Sequence, residues 1–185
     1  MIKKSILGVS LFVLGALFCL AAQAGPALAK MPGEGEKKIQ ALNDQIVAAN
    51  EKRDLPAALK AAAEAVRVAK TEIGPESLAA ADTMNNQANL FLYLKRAAEA
   101  EQLYKQAIVI YLEKTDKDGA EMASHYFNLG VAYAMQKKYS AALNVLNKAL
   151  IIRLKKLGPD SPETKNVDQM IAELTPLAYP NAEKI

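Results

Sequence analysis

The sequence predicts an all-α chain built as an array of helical hairpins, and three observations predict it. Sliding the chain against itself by 42 residues lays 85–114 over 127–156 without a gap. Asn86 then meets Asn128, Ala88 meets Gly130, Phe91 meets Tyr133, Ala100 meets Ala142, Tyr104 meets Leu146 and Ala107 meets Ala149. Within a copy, apolar residues recur at spacings of three and four, as in Tyr139, Ala142, Leu143, Leu146, Ala149, Leu150 and Leu154; that is one stripe of a helix. No useful length alternates with period two, and runs such as AALKAAAEAV favour helices packed closely through small side chains.

The elements follow from local punctuation. LGPDSPET at 157–164 and IGPES at 73–77 are separated by twice the period. In each, glycine (Gly74, Gly158) can take the positive φ that ends a helix, the following proline cannot continue it, and Ser77 or Ser161 caps the next. Asp54 in KRDLPAAL is an N-cap with Pro56 in the first turn. Helices are therefore expected over 36–52, 55–73, 77–94, 97–115, 120–136, 139–157 and 162–174. The array spans 36–175, with repeats at 36–77, 78–119 and 120–161 and a capping helix at 162–174. The first copy is worn (Ile46, Ala49, Ala58, Ala62, Ala65), and Thr175-Pro176 is expected to stop the last helix. Gly- and Pro-rich 25–35 reads as a flexible spacer, and 176–185 as a tail.

The N-terminus is a separate unit. Lys3 and Lys4 precede an uncharged apolar stretch, followed by Ala22-Gln23-Ala24 and Ala27-Leu28-Ala29. This is the pattern of a secretory signal peptide over 1–24, with an alternative cleavage point after 29. The competing reading is an uncleaved anchor over 5–22, since about 18 apolar residues is the lower limit for a span. A lipid-modified Cys19 is disfavoured by bulky Phe18 before it. Removing the leader takes the single cysteine and leaves 21 Lys+Arg against 20 Asp+Glu. That balance gives no electrostatic reason to expect nucleic acid.

Catalytic chemistry has little to stand on. His125 is the sole histidine, and without a cysteine or second histidine it reads as a packing or helix-surface residue. Gly33-Glu34-Gly35 follows no strand, so it is no phosphate loop. Glu99 and Glu101 cannot share a helix face, and Asp116 and Asp118 sit in a connector. No cofactor, metal or enzymatic activity is expected.

A small residue then an aromatic on the first helix (Ala88/Phe91, Gly130/Tyr133), and alanine, a bulky residue and alanine on the second (Ala100/Tyr104/Ala107, Ala142/Leu146/Ala149), resemble the tetratricopeptide repeat. The 42-residue period, the first-helix Asn and the Gly-Pro connector look like the kinesin light chain variant. The resemblance implies a right-handed superhelical solenoid of about three and a half repeats whose first helices line a concave, peptide-sized groove. It places Asn85, Asn89 and Tyr93 there from one repeat, and Phe127, Asn128, Val131 and Met135 from the next. Asn43, Val47 and Asn50 follow from the worn repeat, and Asn86 and Asn128 carry a structural alternative, bonding between helices. The implied function is a non-catalytic, exported adaptor (periplasmic or secreted) that binds an extended peptide segment of a protein partner. Two alternatives stay open, a self-assembling homo-oligomeric unit and an auxiliary subunit of an envelope or secretion complex; membrane contact is expected only through an uncleaved leader.

Overall fold

A computed structural model describes residues 33–180, Asp118 excepted. Among them the chain forms seven α-helices: α1 (Glu34–Glu51), α2 (Leu55–Val68), α3 (Leu78–Tyr93), α4 (Ala97–Lys114), α5 (Ala120–Met135), α6 (Tyr139–Leu157) and α7 (Pro162–Ala178). A π-helical turn, Ala69–Ile73, extends α2. The helices pair as hairpins α1–α2, α3–α4 and α5–α6, each second helix packs on the next first helix, and α7 closes the stack on α6. The result is the right-handed superhelical solenoid of hairpins that the resemblance implies. The expected leader and nearly all of the spacer before Gly33 lie outside the described residues, as do the last five of the tail.

Capping fixes the connections. Asp54, Ser77 and Ser161 each accept, through the side chain, a backbone N–H three residues on, from Ala57, Ala80 and Thr164, all at 3.1 Å. Gly74 and Gly158 take φ 141° and 79° at the ends of the second helices, a region open to glycine without strain.

Two boundaries differ from expectation. The first helix begins at Glu34 rather than after a spacer ending at 35. Gly33 is its N-cap, Glu36 reaches back to the Gly33 N–H, and buried Gly35 lies against Glu72. The acidic first turn favours this start through the helix dipole. The last helix runs through Pro176 to Ala178 instead of stopping at 174. A proline so near a C-terminus costs one ladder bond, and Thr175 Oγ1 bonds the Ile171 carbonyl at 2.7 Å while the Tyr179 N–H closes on Thr175.

Close approach within each hairpin holds the core. A Cβ on Gly130 would stand 2.7 Å from Cγ and Cδ2 of Leu146. In the preceding repeat Ala88 and Tyr104 hold the same places, both 0% exposed. Ala100, Ala142 and Ala149 are likewise fully covered. The first repeat packs through smaller side chains: Ala49, Ala58 and Ala62 are buried together with Leu90 of α3, against Ile46 and Leu59.

Gly130→Ala should therefore destabilise by about 1–3 kcal/mol through overpacking against Leu146, and Gly130→Leu by more. Tyr104→Ala should cost roughly 3–5 kcal/mol through the cavity it leaves. Urea midpoints of the three variants check this; midpoints equal to that of the parent chain would mean that these residues do not face each other across the hairpin.

Candidate functional site

The first helices α3 and α5 meet along a seam of polar side chains. Asn128 Nδ2 donates to Asn89 Oδ1 at 3.4 Å, and Asn85 Oδ1 lies 3.3 Å from His125 Nδ1. All three asparagines are half-buried. Asn86, on the same turn of α3, is half-buried with no hydrogen bond from its side chain among the described residues. Tyr93 and Met135 stand at the C-terminal ends of the two helices, 44% and 38% exposed. The structure thus brings Asn85, Asn89 and Asn128 together and leaves Tyr93 and Met135 open at the edge.

Three of the expected groove residues also serve the fold. Asn89 Oδ1 accepts from Tyr104 Oη at 2.5 Å, so its carboxamide ties the hairpin together as well as facing the seam. Phe127 is half-buried under the Arg153 guanidinium, 5.0 Å from its ring centroid. Arg153 is itself buried and donates to the Glu163 carbonyl at 2.8 Å. Val131 is 5% exposed; it is a core residue, not a groove surface, although it shares its register with Asn89. In the first repeat Val47 is 44% exposed, and Asn43 and Asn50 are half-buried.

Sequence reasoning missed the junction behind the seam. His125 is buried and stacks on Tyr111 of α4, with centroids 3.9 Å apart and planes at 16°. The Tyr111 hydroxyl in turn donates to Asp82 on α3. Burial pushes the His125 imidazole down to about 4, so it is neutral at pH 7. Burial also raises the Asp82 carboxyl, against the pull of the Tyr111 hydrogen bond. The available signal was positional: 85, 111 and 125 become neighbours only when a second helix is wedged between two first helices. A second charged centre joins the same repeats. Burial acts to raise Glu101, but hydrogen bonds from Lys138, Lys105 and Gln136 outweigh it and hold the carboxylate at about 2. Among the described residues no three His, Cys, Asp or Glu side chains gather as metal ligands.

His125 makes stability depend on pH. Its folded value lies below the ordinary 6.5, so between about pH 4 and 6.5 the unfolded chain binds more protons and stability rises with pH. The contribution is complete above about 6.5 and fades as pH falls toward 4. Denaturation at pH 7 and pH 5 should show a loss of roughly 1–2 kcal/mol that His125→Phe, which keeps the stacking, removes. Asp82 titrates in the opposite sense and is common to both proteins. An equal loss in the variant would show that the imidazole is not what titrates.

The geometry agrees with known proteins. The tetratricopeptide repeat family profile matches residues 39–113 and 93–155. A "Clustered mitochondria protein homolog" of Coccidioides immitis (strain RS) is 27% identical over 111 residues, 60% of this chain and 9% of that one. Its counterpart in Aspergillus clavatus is 28% identical over 102 residues, 55% of this chain and 8% of that one. This chain therefore spans less than a tenth of those relatives. Among solved structures, BtubC (BKLC) from P. vanneervenii superposes with TM-score 0.72 at 20% identity, covering 98% of this chain and 70% of that one. A putative kinesin light chain from Podosopora anserina gives 0.69 at 13% identity, covering 76% and 67%. The TPR2B domain of yeast Sti1, solved as a complex with pHsp70, gives 0.57 at 22% identity, covering 75% and 97%. With a profile match over most of its length and a 42-residue hairpin period in sequence and fold, this chain belongs to the tetratricopeptide repeat family.

Proposed function

We propose that the chain is a non-catalytic adaptor that holds an extended segment of a partner protein along the face made by α3 and α5. One observation carries the reading: carboxamides from two adjacent first helices converge at a partly open seam, Asn85 and Asn89 on one side and Asn128 on the other, with Tyr93 and Met135 exposed beside it. An amide both donates and accepts, so it pairs with the backbone of an extended ligand whatever its sequence. Exposed Tyr and Met add apolar contact that tolerates varied side chains. The Sti1 domain, similar in fold and solved with its pHsp70 partner, supports the reading by analogy. We further propose that the adaptor acts after export, supported by Lys3 and Lys4 ahead of the apolar stretch and by the two Ala-x-Ala sites.

A photocrosslinking side chain placed at Asn86 should form adducts with a protein partner in the producing cell, while the same group at Ile151, exposed on α6, should not. Adding Asn128→Ala should weaken the adduct with little change in melting temperature, because its 3.4 Å bond is long. Adducts from Ile151 alone would move the binding surface to the second helices. For export, the mass of the protein recovered from its own cell should begin at Gly25 or Lys30; a chain retaining Met1 overturns cleavage.

A further inference from the structure

A cavity of about 350 Å³ opens where the end of α2 meets α4. It is lined by Lys70 of the π turn, Pro75 of the connector, Met84 of α3, and Gln106, Val109 and Ile110 of α4. Met84 and Ile110 are 1% and 7% exposed and make its floor, while Val109, 56% exposed, stands at its edge. The volume lies at the small end of the range for small-molecule sites.

Two features set this place apart from the rest of the array. The first is the backbone. At the end of α2 the Gly74 N–H reaches back five residues to the Ala69 carbonyl at 2.9 Å. Two periods on, the Gly158 N–H reaches back only four, to Leu154 at 3.1 Å. Single π turns of this kind recur at functional sites. The second feature is side-chain size. One period after Lys70, Met84, Gln106 and Val109 stand Leu112, Tyr126, Lys148 and Ile151. There the Lys148 ammonium lies over the Tyr126 ring, 5.4 Å from its centroid, so a long and a broad side chain meet across the space. Met84 and Gln106 are smaller and leave it open. Lys70 is half-buried and Gln106 exposed, and neither side chain has a hydrogen bond or ion pair among the described residues.

We propose that this cavity binds a free, unbranched aliphatic carboxylate of medium chain length, its chain against Met84, Val109 and Ile110 and its carboxylate at Lys70. The proposal does not rest on the first-helix seam; it adds a second site to the array. Charge selects the head group, because the lining holds one cation and no carboxylate. The Gln106 amide can donate to the second carboxylate oxygen. The apolar lining selects the rest. Pro75, Met84, Val109 and Ile110 offer a hydrocarbon surface, which an alkyl chain covers at no cost and a sugar or peptide backbone would cover only by leaving its polar groups unpaired.

Calorimetric titration of the protein purified from its own cell tests this, with octanoate, hexanoate, octanol and octylamine as ligands. Octanoate should bind saturably, hexanoate roughly tenfold more weakly for its two missing methylenes, and octylamine not at all. In protein isotope-labelled at its methionine methyls, octanoate should shift the Met84 signal and leave those of Met122 and Met170, buried elsewhere, in place. Val109→Glu, at an exposed position, should abolish octanoate binding with the melting temperature unchanged. Met84→Tyr combined with Gln106→Lys, the pair found one period on, should abolish it by filling the space. Lys70→Leu should weaken octanoate roughly fivefold and leave octanol as it was. Each of five results overturns the proposal: octanoate does not bind saturably; it binds without moving the Met84 signal; Val109→Glu binds it unchanged; octylamine binds as well as octanoate; or Lys70→Leu weakens octanol and octanoate alike.

Discussion

The distance between the two helices of a hairpin governs everything else in this molecule. At Gly130 the backbone of α5 comes so near α6 that a single added carbon would stand 2.7 Å from Leu146. That closeness lets Ala142 and Ala149 fill the interface with nothing larger than a methyl group. It also sets how far each second helix protrudes between successive first helices, and hence how near the first helices lie. Ala88 opposite Tyr104 achieves the same in the previous repeat with a larger partner. Its ring is fully buried, and its hydroxyl is carried to the edge, where Asn89 accepts it. Packing inside the hairpin and polarity at the seam are therefore one feature seen from two sides.

Much of this fold was legible because its determinants are local. Gly, Pro, Ser and Asp punctuate the connections, and the small-aromatic and Ala-bulky-Ala patterns repeat at a fixed step, so helix identity and order follow from short stretches of sequence. What failed was also local but energetically shallow. A proline in the last turn forfeits little, so α7 passes Pro176. Two glutamates in a first turn outweigh flanking glycines, so α1 starts at Glu34. The π turn at Ala69–Ile73 has no mark in composition, because it depends on the Gly74 N–H reaching back five residues to Ala69.

The site was legible in direction and not in depth. The 42-residue register says that 89 and 131 point the same way, and nothing in it says that Asn89 remains half-open while Val131 is covered. Nor does it say which atoms meet. Asn85 finds His125 across 40 positions, and Tyr111 finds both His125 and Asp82. Those pairings depend on the offset between neighbouring repeats, a property of the assembled stack. Arg53, Lys95 and Lys137, which take positive φ just after the first helices, were hidden for a different reason. Lysine and arginine are poor signals of positive φ, and the short turns that hold them read as ordinary exposed charge.

The junctions between repeats show why identical hairpins would not serve. One period apart, the same three positions hold Asn85, Tyr111 and His125 and then Phe127, Arg153 and Val167. The first is a hydrogen-bonded aromatic stack around a neutral imidazole; the second sets a guanidinium over a phenyl ring. Neither set can be exchanged for the other one residue at a time. Arg153 in the His125 junction would bring a buried cation without Phe127 beneath it, a costly state for a charge. Tyr111 in the place of Arg153 would forfeit the bond to the Glu163 carbonyl that secures α7. Chemically distinct junctions therefore fix the order of the repeats and the docking of the cap. They hold the backbone repeat constant while the residues exposed at the ends of the first helices, Glu51, Tyr93 and Met135, are free to differ.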